Sequence, residues 1–177
     1  MHTSVLQFLT QMIRREEVEG KNVLEVGSYD VNGSPRDVLL SMKPGYYVGI
    51  DMRPGPRVDA VLDATRLDES FKSESFDIVV STEMLEHCQQ WRSAVNQMKK
   101  VLRPNGLLIL TARGPGMELH DYPGDYWRFT VEDFGEIFAD FEIECLEADT
   151  GHPGVLFKGR KKDGPVDLSE INVQGVR

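Results

Sequence analysis

The sequence predicts a single α/β domain of three layers, a Rossmann-like, seven-stranded and mostly parallel sheet with helices on both faces. Three observations predict it. Short apolar runs of strand length alternate along the chain with segments of helical periodicity. One run, "FDIVVST" at 76–82, is apolar nearly throughout, as expected for a strand covered on both faces. The last two runs, "FEIECLEA" and "GVLFKGRKK", lie close enough to pair as a hairpin, which puts one antiparallel strand into the sheet.

Taken in order, Val5, Leu6, Leu9, Met12 and Ile13 share one helical face over 4–17, and Gly20 ends that helix. "NVLEV" is a first buried strand, and "SPRDVLLSM" a helix with Pro35 near its first turn. "YYVGID" is a second strand ending at Asp51, "RPGPR" a loop, and "VDAVLD" a third strand ending at Asp63. After the fourth strand, Trp91, Ala94, Val95, Met98, Val101 and Leu102 form the apolar stripe of an amphipathic helix. "RPNG" is a turn and "LLILTA" a fifth strand. Thr130 and Asp133 form a capping box for a helix running to about Ala139. The domain spans 1–162, and residues 163–177 read as a polar C-terminal tail.

The 177 residues suffice for one domain with a full-sized core. The net charge of −9 argues against a broad grip on nucleic acid, which needs clustered Lys and Arg. The short basic run "KGRKK" at 158–162 reads as a solvated strand end. Cys88 and Cys145 have no metal-type spacing, and free thiols in a reducing compartment are the simplest reading. No apolar run approaches the roughly 18 residues of a membrane span, and no early signal pattern is present. The expectation is a cytoplasmic protein with no membrane and no nucleic-acid partner.

Ligands of such sheets bind beyond the carboxyl ends of the strands, at the switch point. The residues there are "GSYDVNGS" after the first strand, Asp51, Asp63 with Ala64, the trio Ser81, Thr82 and Glu83, and Arg113. Gly27 lets backbone approach a ligand closely. Asp51 is placed to accept bonds from two ribose hydroxyls. Asp63 accepts an exocyclic amine while the Ala64 backbone donates to a ring nitrogen. Together these suit a nucleoside. The pattern G-x-G-x-x-G of dinucleotide sites is absent, because Tyr29 stands in the place of its second glycine.

These stretches resemble the class I S-adenosylmethionine-dependent methyltransferases. "VLEVGSYDVNGS" looks like the first motif of that family, "VGID" the second, "VLDATRL" the third, and "FDIVVSTEMLEH" with "VLRPNGLLILTA" the fourth and fifth. "EMLEH" is most similar to the small-molecule branch that includes ubiquinone-biosynthesis O-methyltransferases. The resemblance covers about residues 20–112, and the order and spacing of the five motifs fit. It implies that S-adenosyl-L-methionine is the cofactor and S-adenosyl-L-homocysteine the product. It implies cofactor contacts from Glu25, Gly27, Ser28, Tyr29, Asp51, Met52, Asp63, Ala64, Ser81 and Glu83. Two departures stand out. The first loop carries the longer "YDVNG", and nothing matches the Asn/Asp-Pro-Pro-Tyr tetrapeptide of amine methylases.

Catalytic candidates lie further on. Glu83 and His87 share a face if "TEMLEH" begins a helix. His87 is then either a general base for a hydroxyl or a histidine closing a helix end on backbone. Glu83 reads as a cofactor-side or structural group, and a metal on this pair lacks a third ligand. The loop "ELHDYPGDYWRFT" carries His120 as a second base candidate, with Asp121, Tyr126 and Arg128 as acceptor contacts. Its Trp127 and Phe129 read as pins to the core. A metal held by His120, Asp121 and Asp125 is a minor alternative, and no metal is expected. The acceptor is a small molecule offering a hydroxyl, on a sugar or a carrier-bound metabolite, in a pocket that a second copy in a homo-oligomer completes if the chain alone leaves it shallow. Two other classes stay open: a catalytically silent binding partner for this cofactor, and a nicotinamide dehydrogenase, which the missing glycine pattern argues against.

Overall fold

The computed structural model of the chain describes residues 2–120, 124–162 and 164–176. Its strands are β1 (Asn22–Val26), β2 (Tyr46–Asp51), β3 (Ala60–Val61), β4 (Phe76–Thr82), β5 (Leu102–Arg113), β6 (Trp127–Arg128), β7 (Phe141–Ala148), β8 (Gly154–Lys161) and β9 (Gln174–Gly175). Seven of them make one sheet in the order β3-β2-β1-β4-β5-β8-β7, with β8 antiparallel to both its neighbours and the other pairings parallel. The short β6 and β9 pair separately as an antiparallel ribbon.

Helices cover both faces, and the strand alternation explains why. Val23, Ile78, Val80, Leu107 and Ile109 point to one side. There they bury Val5, Phe8 and Leu9 of α1 (Thr3–Met12), Val18 of α2 (Arg15–Val18) and Leu39 of α3 (Arg36–Ser41). Leu24, Val26, Val79, Leu108 and Leu110 point to the other side. They meet Trp91, Ala94, Val95, Met98 and Val101 of α4 (Trp91–Val101), and Phe134 and Ile137 of α5 (Val131–Ile137). The apolar stripe read from the sequence is the buried face of α4 up to Val101, while Leu102 is extended and opens β5. The Thr130 hydroxyl accepts the Asp133 N–H at 3.1 Å and the Asp133 carboxylate accepts the Thr130 N–H at 2.7 Å, so the capping box opens α5 as expected.

Four local expectations are corrected. The N-terminal helix breaks at Ile13 and Arg14, because Ile13 is extended and drops its side chain into the core. The third strand shrinks to Ala60–Val61. The run at 158–162 is not a solvated strand end. Lys158 is buried, its Nζ 2.9 Å from Glu17 and 2.8 Å from Glu144, and Arg160 joins the same two carboxylates at 2.5 Å. The described residues after 162 include a packed stretch rather than a wholly loose tail. Leu168 and Ile171 are buried, and Arg92 donates to both of their carbonyls. The "RPNG" turn survives as a bulge, since β5 steps from Leu102 to Leu107 while β4 moves only from Phe76 to Ile78.

The strand order reverses between β1 and β4, so their carboxyl ends splay apart and open a crevice. Among the described residues, no helix is long and apolar enough to cross a membrane, and both cysteines are unbonded.

Candidate functional site

A cleft of about 820 Å³ occupies that crevice. Its walls are the tips of β1, β2 and β4, the turn that follows β3, the His2 side chain, and residues 117–120 with Tyr126. Ten of the candidate site residues line it together: Glu25, Gly27, Ser28, Tyr29, Asp51, Met52, Asp63, Ala64, Glu83 and His87; His120 and Tyr126 complete the set.

At the β1 tip, Gly27 has φ +81°, and a Cβ there would sit 2.6 Å from Met84 Cγ. Glycine is therefore required twice, by backbone handedness and by space. The N–H groups of Gly27 and Ser28 both donate to the Ile50 carbonyl at 2.9 Å, which ties the loop to β2. The Ser28 hydroxyl is buried without a hydrogen-bond partner at the cleft wall, an orphaned polar atom of the kind a ligand satisfies. Behind it the Glu25 carboxylate accepts the Tyr47 hydroxyl at 2.8 Å and the Ser34 hydroxyl at 3.2 Å. Burial pushes this carboxyl up to about 7, against the pull of the Tyr47 bond and of Arg36.

Asp51 holds two loop N–H groups, from Tyr29 at 3.3 Å and from Arg53 at 3.1 Å. The Tyr29 ring lies over Gly55, where any Cβ would meet it, and against Arg53, with 5.2 Å from guanidinium carbon to ring centre. Asp63 caps the turn Ala64–Glu69 by accepting the Thr65 N–H and hydroxyl, both at 2.8 Å, and also lines the cleft. The capping and ligand roles read for Asp63 are thus compatible rather than exclusive.

Glu83 has φ +51°, a left-handed conformation that a glutamate adopts only under constraint. Its carboxylate lies against the Arg113 guanidinium and accepts the His2 imidazole at 2.6 Å. Burial would raise this carboxyl, but Arg113 and His2 outweigh burial and hold it below the usual range. An ionised, ion-paired carboxylate is a poor base and a good source of fixed negative charge. The left-handed turn also prevents a helix from starting here. Only the single 3-10 turn Leu85–His87 forms, so Glu83 and His87 do not share a helical face, contrary to the expectation from spacing.

At the far end, His87 Nδ1 donates to the Gly124 carbonyl at 2.5 Å. Its Nε2 faces His120 Nε2 at 3.1 Å, with the rings nearly perpendicular at 86°. The two base candidates, 33 positions apart, are one unit. Tyr126 closes this end, its N–H on the Glu86 carbonyl at 2.8 Å and its ring against Gly124.

Three candidates fall elsewhere. Ser81 is fully buried within β4 and does not reach the cleft; its neighbours Thr82 and Glu83 do. Arg128 does not line this cleft. Its guanidinium grips Asp125 in a buried fork of 2.5 and 2.7 Å, an i,i+3 pair that fixes the loop. Asp121 lies outside the described residues. His2, Met84 and Met117 were missed from the sequence. His2 meets Glu83 across 81 positions, and no local pattern announces such a contact.

Among the described residues no group of three or more His, Cys, Asp or Glu is arranged to hold a metal ion. The cleft suits a nucleoside-bearing cofactor instead. It offers a glycine cradle, an orphaned serine hydroxyl, carboxylates at successive strand tips and no cluster of Lys or Arg for a diphosphate.

Residues 24–110 match the family described as "Methyltransferase domain". A curated relative from Mycobacterium ulcerans (strain Agy99), "Phthiotriol/phenolphthiotriol dimycocerosates methyltransferase 1", is 34% identical over 122 residues. That match takes in 62% of this chain and 44% of the relative, so the chain spans less than half of that protein's length. Among solved structures, an S-adenosylmethionine-dependent methyltransferase from Mesorhizobium loti superposes with a TM-score of 0.63 at 15% identity, over 90% of this chain and 98% of the other. The Burkholderia thailandensis 1,6-didemethyltoxoflavin-N1-methyltransferase, solved with bound 1,6-didemethyltoxoflavin and S-adenosylhomocysteine, superposes with a TM-score of 0.67 at 16% identity, over 90% of this chain and 79% of the other.

Proposed function

We propose that this chain, which belongs to the class I S-adenosylmethionine-dependent methyltransferase family, methylates a hydroxyl oxygen of a small-molecule acceptor. The observation that carries the reading is the single cleft that joins a nucleoside-shaped cradle to a histidine pair. When bound, S-adenosylmethionine supplies a methyl carbon already activated by a sulfonium sulfur.

The residues then have distinct tasks. Asp51 would hold the ribose hydroxyls, and Asp63 with Ala64 the base. Gly27, Ser28 and Glu25 take the amino-acid end, where an ammonium would draw the Glu25 carboxyl back towards its ionised form. Glu83, held ionised by Arg113 and His2, would supply a fixed negative charge on the cleft wall to offset the sulfonium's positive charge. The histidine pair receives the proton that the acceptor oxygen must lose. Alignment and exclusion of water do the rest.

The chemistry of the mouth bears on the acceptor. Val31, Met52, Leu119 and Tyr126 are exposed large apolar side chains, and all four line this cleft. They favour an acceptor that presents its hydroxyl from an apolar body. The Mycobacterium ulcerans relative, named for a dimycocerosate acceptor, points the same way.

The test begins with calorimetric titration by S-adenosylhomocysteine, with NAD as control, followed by a turnover screen over hydroxylated acceptors from sugars to lipid alcohols. Micromolar binding of the first nucleotide and none of the second is expected. Binding without turnover on any acceptor would favour a catalytically silent partner protein. Asp51→Ala should weaken S-adenosylhomocysteine at least about tenfold, near 1.4 kcal/mol, and unchanged affinity would remove Asp51 from the ribose.

A further inference from the structure

We infer that His87 and His120 act as one base, a shared proton site between their Nε2 atoms, and that Asp125 is the positioning residue that sets it. The inference deepens the proposed methyl transfer to a hydroxyl and rests on that reading for its catalytic part.

The donors and acceptors around the pair fix where its protons sit. The Gly124 carbonyl at 2.5 Å accepts only, so His87 carries its proton on Nδ1 and turns a bare Nε2 lone pair towards the cleft. His120 is held from the opposite side. The Asp125 carboxylate accepts the His120 backbone N–H at 3.2 Å and lies 3.3 Å from Nδ1, and the Glu118 carbonyl lies 3.5 Å from the same nitrogen. Both neighbours accept only, so His120 is also held with its proton on Nδ1 and its Nε2 lone pair outward. The two lone pairs then face each other at 3.1 Å, and one proton between them satisfies every group in the chain.

At rest the pair takes that proton from water; once His120 has given it back to water, the emptied site is the base that receives the proton the acceptor gives up. As the acceptor oxygen bonds to the methyl carbon, the carbon–sulfur bond breaks and its electron pair stays on sulfur. The hydroxyl proton passes to the facing Nε2 atoms, and the positive charge lost at sulfur reappears on the imidazoles. His120 is about half exposed and returns the proton to water. The charged groups around the pair are Asp125 with its Arg128 fork and the buried Glu86, with the Glu83–Arg113 ion pair further along the cleft. Asp125 itself is fully buried and clamped by Arg128, so His120 is oriented by an anchored carboxylate.

The decisive experiment reads the imidazole nitrogens by NMR in protein labelled with 15N-histidine, whose 4 histidines are assigned by single substitution. His87 should read as protonated on Nδ1. In His120→Asn, the His87 Nε2 signal should move to that of an unshared lone pair. In Asp125→Asn, the signals of both histidines should move, although His87 does not touch Asp125. His87 signals indifferent to both substitutions would overturn the shared site. Should Asp125→Asn fail to fold, His120→Asn alone decides, because that side chain is about half in solvent and packs in no core. On an acceptor from the screen, His87→Asn and His120→Asn should each lower kcat on the order of a hundredfold, and the double variant should lose no more than either alone. Additive losses would mean two separate roles. Binding of S-adenosylhomocysteine should be unchanged throughout. If the wild-type protein binds none, the cofactor reading fails while the nitrogen spectra still judge the pair.

Discussion

Replacing Gly27 by alanine should destabilise the protein by about 3 kcal/mol and weaken cofactor binding together. Two costs combine. A residue with a Cβ at φ +81° pays roughly 1–2 kcal/mol for the left-handed conformation. The new methyl group would also lie 2.6 Å from Met84 Cγ and 2.8 Å from Met84 Cβ, inside any tolerable contact. The second of those atoms is anchored to backbone, so rotation of the methionine side chain cannot relieve the clash. Either Met84 moves into the cleft or the β1 tip moves off Ile50, and both distort the cradle. Gly20 is the built-in control. Its φ is +73° and nothing lies within 4 Å of its would-be Cβ, so Gly20→Ala should cost only the conformational part and leave S-adenosylhomocysteine affinity intact. Melting temperatures and calorimetric titrations of the two variants check this. Equal losses in both would mean that backbone handedness alone governs Gly27. Adding Met84→Ala to Gly27→Ala should recover part of the affinity, because the closer of the two clashing atoms is then gone.

What the sequence could say about this site follows from how locally each feature is determined. Strands covered on both faces, the α4 stripe and the capping box at Thr130 are set by neighbours in sequence, and each is where periodicity put it. The carboxylates Asp51, at the tip of β2, and Asp63, just past β3, were legible for the same reason, since the end of an apolar run locates them. Features made by distant partners were not legible. Lys158 reads as a surface charge until Glu17 and Glu144 meet it from α2 and β7. "TEMLEH" reads as a helix start until Arg113 and His2 hold Glu83 in a left-handed turn. Arg128 reads as an anion clamp unless its i,i+3 partner Asp125 is recognised as buried with it. Ser81 lies off the cleft for a different reason. The motif located the right strand end, but strand alternation decides which side chain reaches the ligand, and a one-residue offset reverses that. The same alternation aims Glu25 at the cleft from inside β1, where burial makes its charge state depend on what the cleft holds.

Glu86→Gln should raise the melting temperature at pH 8 and leave it nearly unchanged at pH 5. Glu86 is fully buried beside the histidine pair, and both carboxyl oxygens lack a hydrogen-bond partner. Burial pushes the carboxyl up to about 7, and the nearby Arg113 only partly offsets this. Below the ordinary glutamate value the group is protonated in the folded and unfolded chains alike, and it makes no pH-dependent contribution. Between that value and about 7 the folded state binds the proton and the unfolded state releases it, so stability falls as pH rises. Above about 7 the loss is complete and amounts to about 3 kcal/mol at most. Glutamine keeps the shape and cannot ionise, so the variant escapes that loss. The buried Glu25 contributes a slope of the same sign over the same window, which should persist in the variant. A gain of equal size at pH 5 and pH 8 would show that packing rather than charge decides the matter. A loss at both would mean that the ionised carboxylate is held by a partner. Under the proposed mechanism, so costly a group beside His87 and His120 would have a physical use. A carboxyl able to ionise near neutral pH places a negative charge behind the pair as the pair becomes positive. Glu86→Gln, stabilising at pH 8, should therefore also lower turnover on an acceptor there, separating what the residue costs the fold from what it lends the site.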